Sequence, residues 1–258
     1  MIKKIFVNCK EPYGHELKNQ VKKIVKDLGI KYSERNTKDV GLAVLIGGDG
    51  TFLKYQWRFR CPVMGVNPGS SVGFYMTSGP KDFKRNLILA INGEEGKDYF
   101  IHEMTRLETS VNGKTVKPLA LNDVLVSAIY TRRILDSEIR VNGKTTNERG
   151  SGILVYTPTG SNAFAHSAGA KRMKWNSIGF GVMETAPFTG RLKEGEILTD
   201  KEVTIRCLNR EGELCIDGQE DQVRRLREKD IVSVRKSGSP ARIVGFRKEF
   251  SNGIKNFL

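Results

Sequence analysis

Val40-Gly41-Leu42-Ala43-Val44-Leu45-Ile46-Gly47-Gly48-Asp49-Gly50-Thr51 is a near-continuous apolar run that stops on a turn with glycines set around one carboxylate. An apolar run without polar alternation describes a strand buried on both faces, the signature of a parallel sheet covered by helices. Residues 51–58 can start a helix. A strand, a glycine turn and a helix aim free N–H groups and the positive end of the helix dipole at one place, where an anion is stabilised. Three glycines would suffice for a tight turn with no ligand, but they do not account for Asp49. A carboxylate beside bare amides supplies a base and a phosphate cradle, which is what phosphoryl transfer asks of a protein.

Outward from this turn, the chain reads in two halves. Residues 2–8 form an apolar strand, and Leu17, Val21, Ile24, Val25 and Leu28 recur at helical spacing before Gly29, a stop signal. Residues 62–67 read as another buried strand, residues 68–74 as a loop, and residues 81–91 as a helix ending at Asn92-Gly93. Alternating strands and helices imply a parallel sheet with helices packed on it. From about Asp98 the pattern changes to strands and tight turns. Val111-Asn112-Gly113-Lys114-Thr115 recurs verbatim as Val141-Asn142-Gly143-Lys144-Thr145, and each Asn-Gly pair signals a type I′ hairpin. Asp217-Gly218 suggests a third. The expected fold is therefore an α/β N-terminal domain with a Rossmann-like parallel sheet, followed by a β-rich C-terminal domain.

The 258 residues carry 43 Lys plus Arg against 29 Asp plus Glu, a formal charge of +14. That balance suits anionic ligands: nucleotide phosphates, RNA or a membrane surface. The basic residues are scattered, with no run of five, so a solvated surface is the plainer reading. Cys9, Cys61, Cys207 and Cys215 show no CxxC spacing, which points away from a zinc site or disulfide framework and toward reduced cytoplasmic thiols. With neither a signal peptide nor an apolar run of 18 residues, a soluble intracellular protein is expected.

A second segment, Tyr156-Thr157-Pro158-Thr159-Gly160-Ser161-Asn162-Ala163-Phe164-Ala165-His166-Ser167-Ala168-Gly169-Ala170, narrows the reading. Taken with Gly47 to Gly50 and with Leu121-Asn122-Asp123-Val124, it resembles the NAD kinase family. That family carries a GGDG turn, an Asn-Glu pair after a short apolar strand, and a T-P-T-G-S-T-A-Y-x-x-S-x-G-G stretch in this order. The likeness covers roughly residues 40–220 and is weak in the first 35 and last 20. A GGDG turn also occurs in diacylglycerol-type lipid kinases and 6-phosphofructokinases; the T-P-T-G-S segment is far more specific.

The resemblance implies a nucleotide-binding domain over 1–95 with a C-terminal return over 241–258, and a sandwich-like NAD-binding domain over 96–240. It implies transfer of the ATP γ-phosphoryl group to the adenosine 2′-hydroxyl of NAD, giving NADP. Mg²⁺ or another divalent cation would arrive with ATP rather than at a dedicated protein metal site. The implied assembly is a homo-oligomer, a dimer or tetramer, without nucleic-acid or membrane partners.

On the residues themselves, Asp49 is the candidate base, a role worth a factor of about 10²–10⁴. The glycine turn, Gly47, Gly48, Gly50 and Thr51, would hold phosphates through its amides, since no Walker sequence occurs. By resemblance, Asp49 and Gly50 also meet NAD, Asn122 and Asp123 contact its ribose or nicotinamide part, and Phe74 supports the adenine side. Thr159, Asn162, Ala163, Phe164 and Ser167 would line the dinucleotide pocket, and Arg149, Ser151 and Ala186 complete the implied NAD set. Core packing is the alternative for Phe74 and Phe164, and His166 reads as incidental.

Asp123 stands where the family usually has Glu, Ser151 where Asp is common, Asn162 for Thr and Phe164 for Tyr. The lost charge at Ser151 bears on discrimination between NAD and NADH, in a direction the sequence leaves open. Two rival readings stay on the table: a lipid or sugar kinase sharing the GGDG turn, and a basic nucleic-acid-binding protein supported only by the net charge.

Overall fold

The computed structural model describes residues 2–69, 73–130 and 132–250. The middle of the 68–74 loop and the end of the expected 241–258 return lie outside the described residues. Internal contacts divide the chain into one unit formed by Met1–Glu103 with Ala241–Leu258, and another formed by Met104–Pro240.

The first unit carries a six-stranded sheet in the order β2 (Lys31–Ser33), β1 (Lys4–Cys9), β3 (Leu42–Ile46), β4 (Val63–Val66), β18 (Ala241–Gly245), β5 (Phe100–Met104). The pairs β1 with β2, β1 with β3, β3 with β4 and β4 with β18 are parallel. β3 is buried along its whole length, as its unbroken apolar run predicts. One face of the sheet packs Ile5, Val7, Leu42, Val44, Ile46, Met64 and Val66 against Leu17, Val21 and Val25 of α1 (His15–Asp27) and Phe83, Leu87, Ala90 and Ile91 of α3 (Phe83–Asn92). Each such aliphatic side chain contributes about 1.5–3 kcal/mol by leaving water. On the other face the ring of Phe6 meets Phe59, just beyond α2 (Asp49–Gln56). Gly29, at φ +70°, ends α1 where the 3.6-residue pattern stops; its N–H bonds to the Lys26 carbonyl while the Ile30 N–H bonds to the Val25 carbonyl.

The second unit is built from two six-stranded sheets. One runs β10 (Lys144–Gly150), β9 (Leu135–Val141), β14 (Val203–Cys207), β17 (Ile231–Lys236), β6 (Leu107–Val111), β7 (Lys114–Ala120). The other runs β13 (Ile197–Thr199), β12 (Phe180–Thr185), β11 (Gly152–Tyr156), β8 (Asp123–Ala128), β15 (Gly212–Ile216), β16 (Arg224–Leu226). Alternate residues of both sheets, among them Val124, Val126, Ile139, Ile153, Val155, Phe180, Ile205 and Val234, share one apolar core, which makes the unit a sandwich.

Asn112-Gly113 joins β6 to β7 and Asn142-Gly143 joins β9 to β10, with all four residues at positive φ, as type I′ turns require. Asp217 and Gly218 also have positive φ, but the expected two-residue hairpin does not form there. A 3₁₀ turn, Glu220–Gln222, widens the connection before β16. The outer face of the second sheet buries Leu154, Tyr156 and Met183 under Ala165 and Ala170, so the T-P-T-G-S segment returns across the strand that leads into it.

Candidate functional site

In the first unit, β3 and β4 lie side by side in parallel register, Ile46 opposite Val66, so the chain leaves both at the same edge. In open α/β sheets the carboxyl ends of the strands are where ligands bind. Asp49 is the first residue of α2 and points across to the β4 loop. The Phe74 N–H donates to its Oδ2 at 2.7 Å and the Tyr75 N–H to its Oδ1 at 2.9 Å. That loop is folded back onto β4 by the Thr77 and Ser78 N–H groups, which donate to the Gly65 carbonyl, and by the Asn67 N–H, which donates to the Ser78 carbonyl. Burial pushes the Asp49 carboxyl above the usual carboxylate range, against the two N–H donors that hold it down. A carboxylate offers about four lone-pair sites. Among the described residues, two are engaged here.

The glycines of the turn do different jobs. A Cβ on Gly47 would stand 2.6 Å from Thr51 Oγ1, so this position is closed to any side chain. Gly48 is extended, at φ −111° and ψ −172°, and neither it nor Gly50 has positive φ. The turn's backbone angles therefore do not demand glycine at these two places. At Gly50 a Cβ would meet nothing within 4 Å. Glycine there leaves open space over the first helical turn, whose N–H groups have no partner within the helix. Phe74 is half-buried, edge-on to Tyr75 at 5.0 Å and close to Phe250 at 5.4 Å, while Tyr75 stacks on Phe52 at 5.1 Å.

In the second unit, Asn122 and Asp123 sit where the chain enters β8. The N–H groups of Leu121, Asn122 and Asp123 all donate to the Asp217 carboxylate, at 2.7–3.1 Å. From the opposite side the Thr157 and Thr159 hydroxyls donate to the Leu121 carbonyl at 2.6 and 2.9 Å, and the Thr157 N–H donates to the Asn122 carbonyl at 2.8 Å. Gly160 must be glycine, because the Asn122 carbonyl occupies the place of its missing Cβ. The Ser161 hydroxyl donates to the Pro158 carbonyl and accepts from the Met173 N–H. The T-P-T-G-S segment and the Asn122-Asp123 pair are thus one joined structure. Burial, reinforced by the neighbouring charge of Asp217, pushes the Asp123 carboxyl up to about 7. Asn162, Phe164 and Ser167 are exposed and Ala163 is partly so. With Phe164 50 % exposed, plain core packing does not explain it.

Arg149, Ser151 and Ala186 gather elsewhere. Asp123 pairs with Tyr156, whereas Ser127 pairs with Gly152, and Gly152 pairs with Thr185. The full length of β8 therefore separates the two groups, about 17 Å at ~3.3 Å per residue. Arg149 donates from Nε to Asp136 Oδ1 at 2.9 Å and lies over the Phe188 ring, and the Ser151 N–H donates to the Thr185 carbonyl. Beneath them sit Glu148 and Glu184, both buried. Glu148 accepts from the Thr146 hydroxyl and the Leu192 N–H. Glu184 Oε2 has no hydrogen-bond partner among the described residues, and burial together with the charge of Glu148 pushes its carboxyl up to about 7.

The sequence reading missed Asp217, Glu148 and Glu184. Asp217 was visible only as a turn residue; Glu148 lies in a polar-looking strand and Glu184 near the end of an apolar one, in different sheets, so only tertiary packing brings them together. Among the described residues no three His, Cys, Asp or Glu side chains group to hold a metal ion. The four cysteines are free, and no described helix is long and apolar enough to cross a membrane.

A glycine turn bearing a held carboxylate, at the edge of a parallel sheet in a chain that continues as a β-sandwich, is the build of a nucleotide phosphotransferase. Residues 4–95 match the family model of the ATP-NAD kinase N-terminal domain and residues 101–246 that of the ATP-NAD kinase C-terminal domain. The chain belongs to the ATP-NAD kinase family. It is 31% identical to an NAD kinase of Methanosarcina acetivorans, over 84% of this chain and 77% of the relative, and 29% identical to an NAD kinase of Aquifex aeolicus, over 93% and 92%. In fold it is similar to an NAD kinase from Archaeoglobus fulgidus in complex with ATP, with a TM-score of 0.76 and 22% identity over 95% of this chain and 94% of that one. Yeast NADH kinase complexed with NADH gives a TM-score of 0.81 at 18% identity, over 96% and 85%.

Proposed function

We propose that the protein is an ATP-dependent NAD kinase, transferring the γ-phosphoryl group of ATP to the adenosine 2′-hydroxyl of NAD to form NADP. The observation that carries this reading is Asp49: a half-buried carboxylate clasped by two backbone N–H groups, with the first turn of α2 open beside it. Family membership supplies the acceptor. In this reading Asp49 accepts the proton of the 2′-hydroxyl, and its raised pKa makes it a better base than a solvated carboxylate. The N–H groups of Gly50 and Thr51, with the positive end of the α2 dipole, hold phosphate oxygens. Asn122 and Asp123 position the nicotinamide riboside part, and the exposed Asn162, Phe164 and Ser167 border the dinucleotide.

Among the described residues no His, Cys, Asp or Glu side chains group into a metal cage; Mg²⁺ would come with ATP, held chiefly by its phosphates. Such an ion would supply charge neutralisation on the phosphates. Arg149, Ser151 and Ala186, a strand's length from Asn122, fit the same ligand set if they serve the site of a second copy, so the reading includes a homo-oligomer, dimer or tetramer. The free cysteines suit a cytoplasmic location. The test is NADP formation by purified protein supplied with NAD, ATP and Mg²⁺, repeated with NADH and with a lipid diol as acceptors. Turnover only with the lipid diol overturns the assignment.

A further inference from the structure

Asp217 is buried, and among the described residues its carboxylate meets no ion-paired side chain at hydrogen-bond distance; it is held by the backbone N–H groups of three consecutive residues. Burying a carboxylate is costly unless its oxygens are engaged. Here the engagement falls wholly on one short stretch of backbone, with the Arg106 guanidinium acting on it electrostatically from nearby. The other side of that stretch is equally committed. Both Thr157 and Thr159 hydroxyls take the Leu121 carbonyl, and the Thr157 N–H takes the Asn122 carbonyl. The 121–123 backbone is thus fastened from both sides by residues far along the chain, which leaves the directions of the Asn122 and Asp123 side chains fixed at their roots.

We infer that Asp217 is a positioning residue: it locks the backbone from Leu121 to Asp123 and so aims the Asn122 and Asp123 side chains at the dinucleotide. The inference rests on the NAD reading above. Oδ1 accepts from all three N–H groups and Oδ2 takes a second bond from the Leu121 N–H, so an amide in its place would keep one acceptor but lose the charge and turn an NH2 donor toward the Leu121 N–H. Misplacing a positioning group by about 1 Å can cost on the order of 100-fold in rate, so the lock matters even though Asp217 need not touch the ligand. It also links the pair electrostatically. Asp123 is faced by Asp217 and by the Cys215 thiol of β15, with Arg106 beyond Asp217; on β11 its register partner Tyr156 points its hydroxyl to Glu196.

The experiment is Asp217→Asn, read in two ways. First, the Asp123 side-chain carboxyl is titrated by carbon-13 NMR in ligand-free protein. Its wild-type midpoint near 7 is expected to move toward acid once the neighbouring charge is gone. Second, NAD and ATP affinities are measured separately: NAD binding is expected to weaken about 10- to 100-fold and ATP binding to stay within about twofold. If Asp217→Asn does not fold, Thr159→Val removes one hydroxyl from the Leu121 carbonyl, and a NAD-selective loss of several-fold is expected in its place. An unmoved Asp123 midpoint in folded Asp217→Asn, or equal losses for NAD and ATP in whichever variant folds, overturns the inference. A wild type that binds no NAD overturns the functional reading instead, and the titration then decides alone whether Asp217 sets the pair.

Discussion

Asp49 and Asp217 are both clasped by backbone N–H groups of a distant loop, but Asp49 takes two and stays half-buried, while Asp217 takes three and is closed off from solvent. The same device leaves different chemistry. On Asp49 the described residues engage two lone pairs beside an open helix start, so in the proposed reading the clasp orients a group that can still react. On Asp217 the oxygens are spent on backbone and the clasp orients the residues that donate to it. Position in the fold explains the difference. Asp49 stands at the carboxyl edge of a parallel sheet, where neighbouring loops diverge, whereas Asp217 lies at the start of a left-handed turn tucked against β8.

If that contrast is right, Asp49→Asn should show the largest effect. It keeps size and acceptor geometry but removes the base, so turnover should fall by about two to four orders of magnitude with the melting temperature near wild type. A folded variant with most of its turnover would make Asp49 another orienting group and erase the distinction. Asn122→Ala removes one of the side chains that Asp217 aims. It should cost roughly 1–3 kcal/mol, one to two decades in NAD affinity, with ATP affinity unchanged; titration calorimetry with each nucleotide separates the two.

Gly50→Val probes the open space beside Asp49. Valine is a better helix former than glycine by a few tenths of a kcal/mol or less and its Cβ would meet nothing within 4 Å, so stability should hold. Phosphate affinity should drop about tenfold through the lost N–H contact, with a weak dependence on salt. Tight, salt-steep RNA binding that survives Gly50→Val, without NAD binding by the wild type, would instead make the +14 charge the binding agent.

The smallest effect on activity is expected at Glu184, where the readout is stability: a buried carboxyl whose Oε2 has no hydrogen-bond partner among the described residues. Its folded-state pKa is raised from 4.5 to about 7, so its contribution to stability is complete below about 4.5 and is lost as pH rises through 7. Glu184→Gln keeps the shape and the neutral state. Denaturant unfolding should therefore favour the variant over wild type by on the order of 2 kcal/mol more at pH 8 than at pH 5. A difference that does not change with pH would mean that Glu184 is not held neutral.

Much of this arrangement could be read from the chain. The unbroken run at 42–46 gave the central buried strand because no polar residue interrupts it, and Asn112-Gly113 and Asn142-Gly143 gave their hairpins because few other pairs tolerate two positive φ angles. Asp49 was legible since glycine turns rarely need a carboxylate. Asp217 was not. Its partners lie more than ninety residues away, and in sequence the Asp-Gly pair looks like turn chemistry, which it also is. The placement of β18 between β4 and β5, and the distance between Asn122 and Ser151, follow from strand order and register, which local periodicity does not encode. At Gly48 and Gly50 the sequence shows that a side chain is missing but not whether angle or space is the need; the structure removes angle as the reason.

The central claim is that Asp49 removes the proton of an adenosine 2′-hydroxyl. The most direct measurement is single-turnover formation of NADP by wild type and by Asp49→Asn, with NAD and ATP both saturating and Mg²⁺ present. The account predicts NADP in step with ADP for wild type, and for the variant a chemical step slowed by about 10²–10⁴ while both nucleotides still bind. A variant that makes NADP at the wild-type rate, or a wild type that hydrolyses ATP without making NADP, would contradict it.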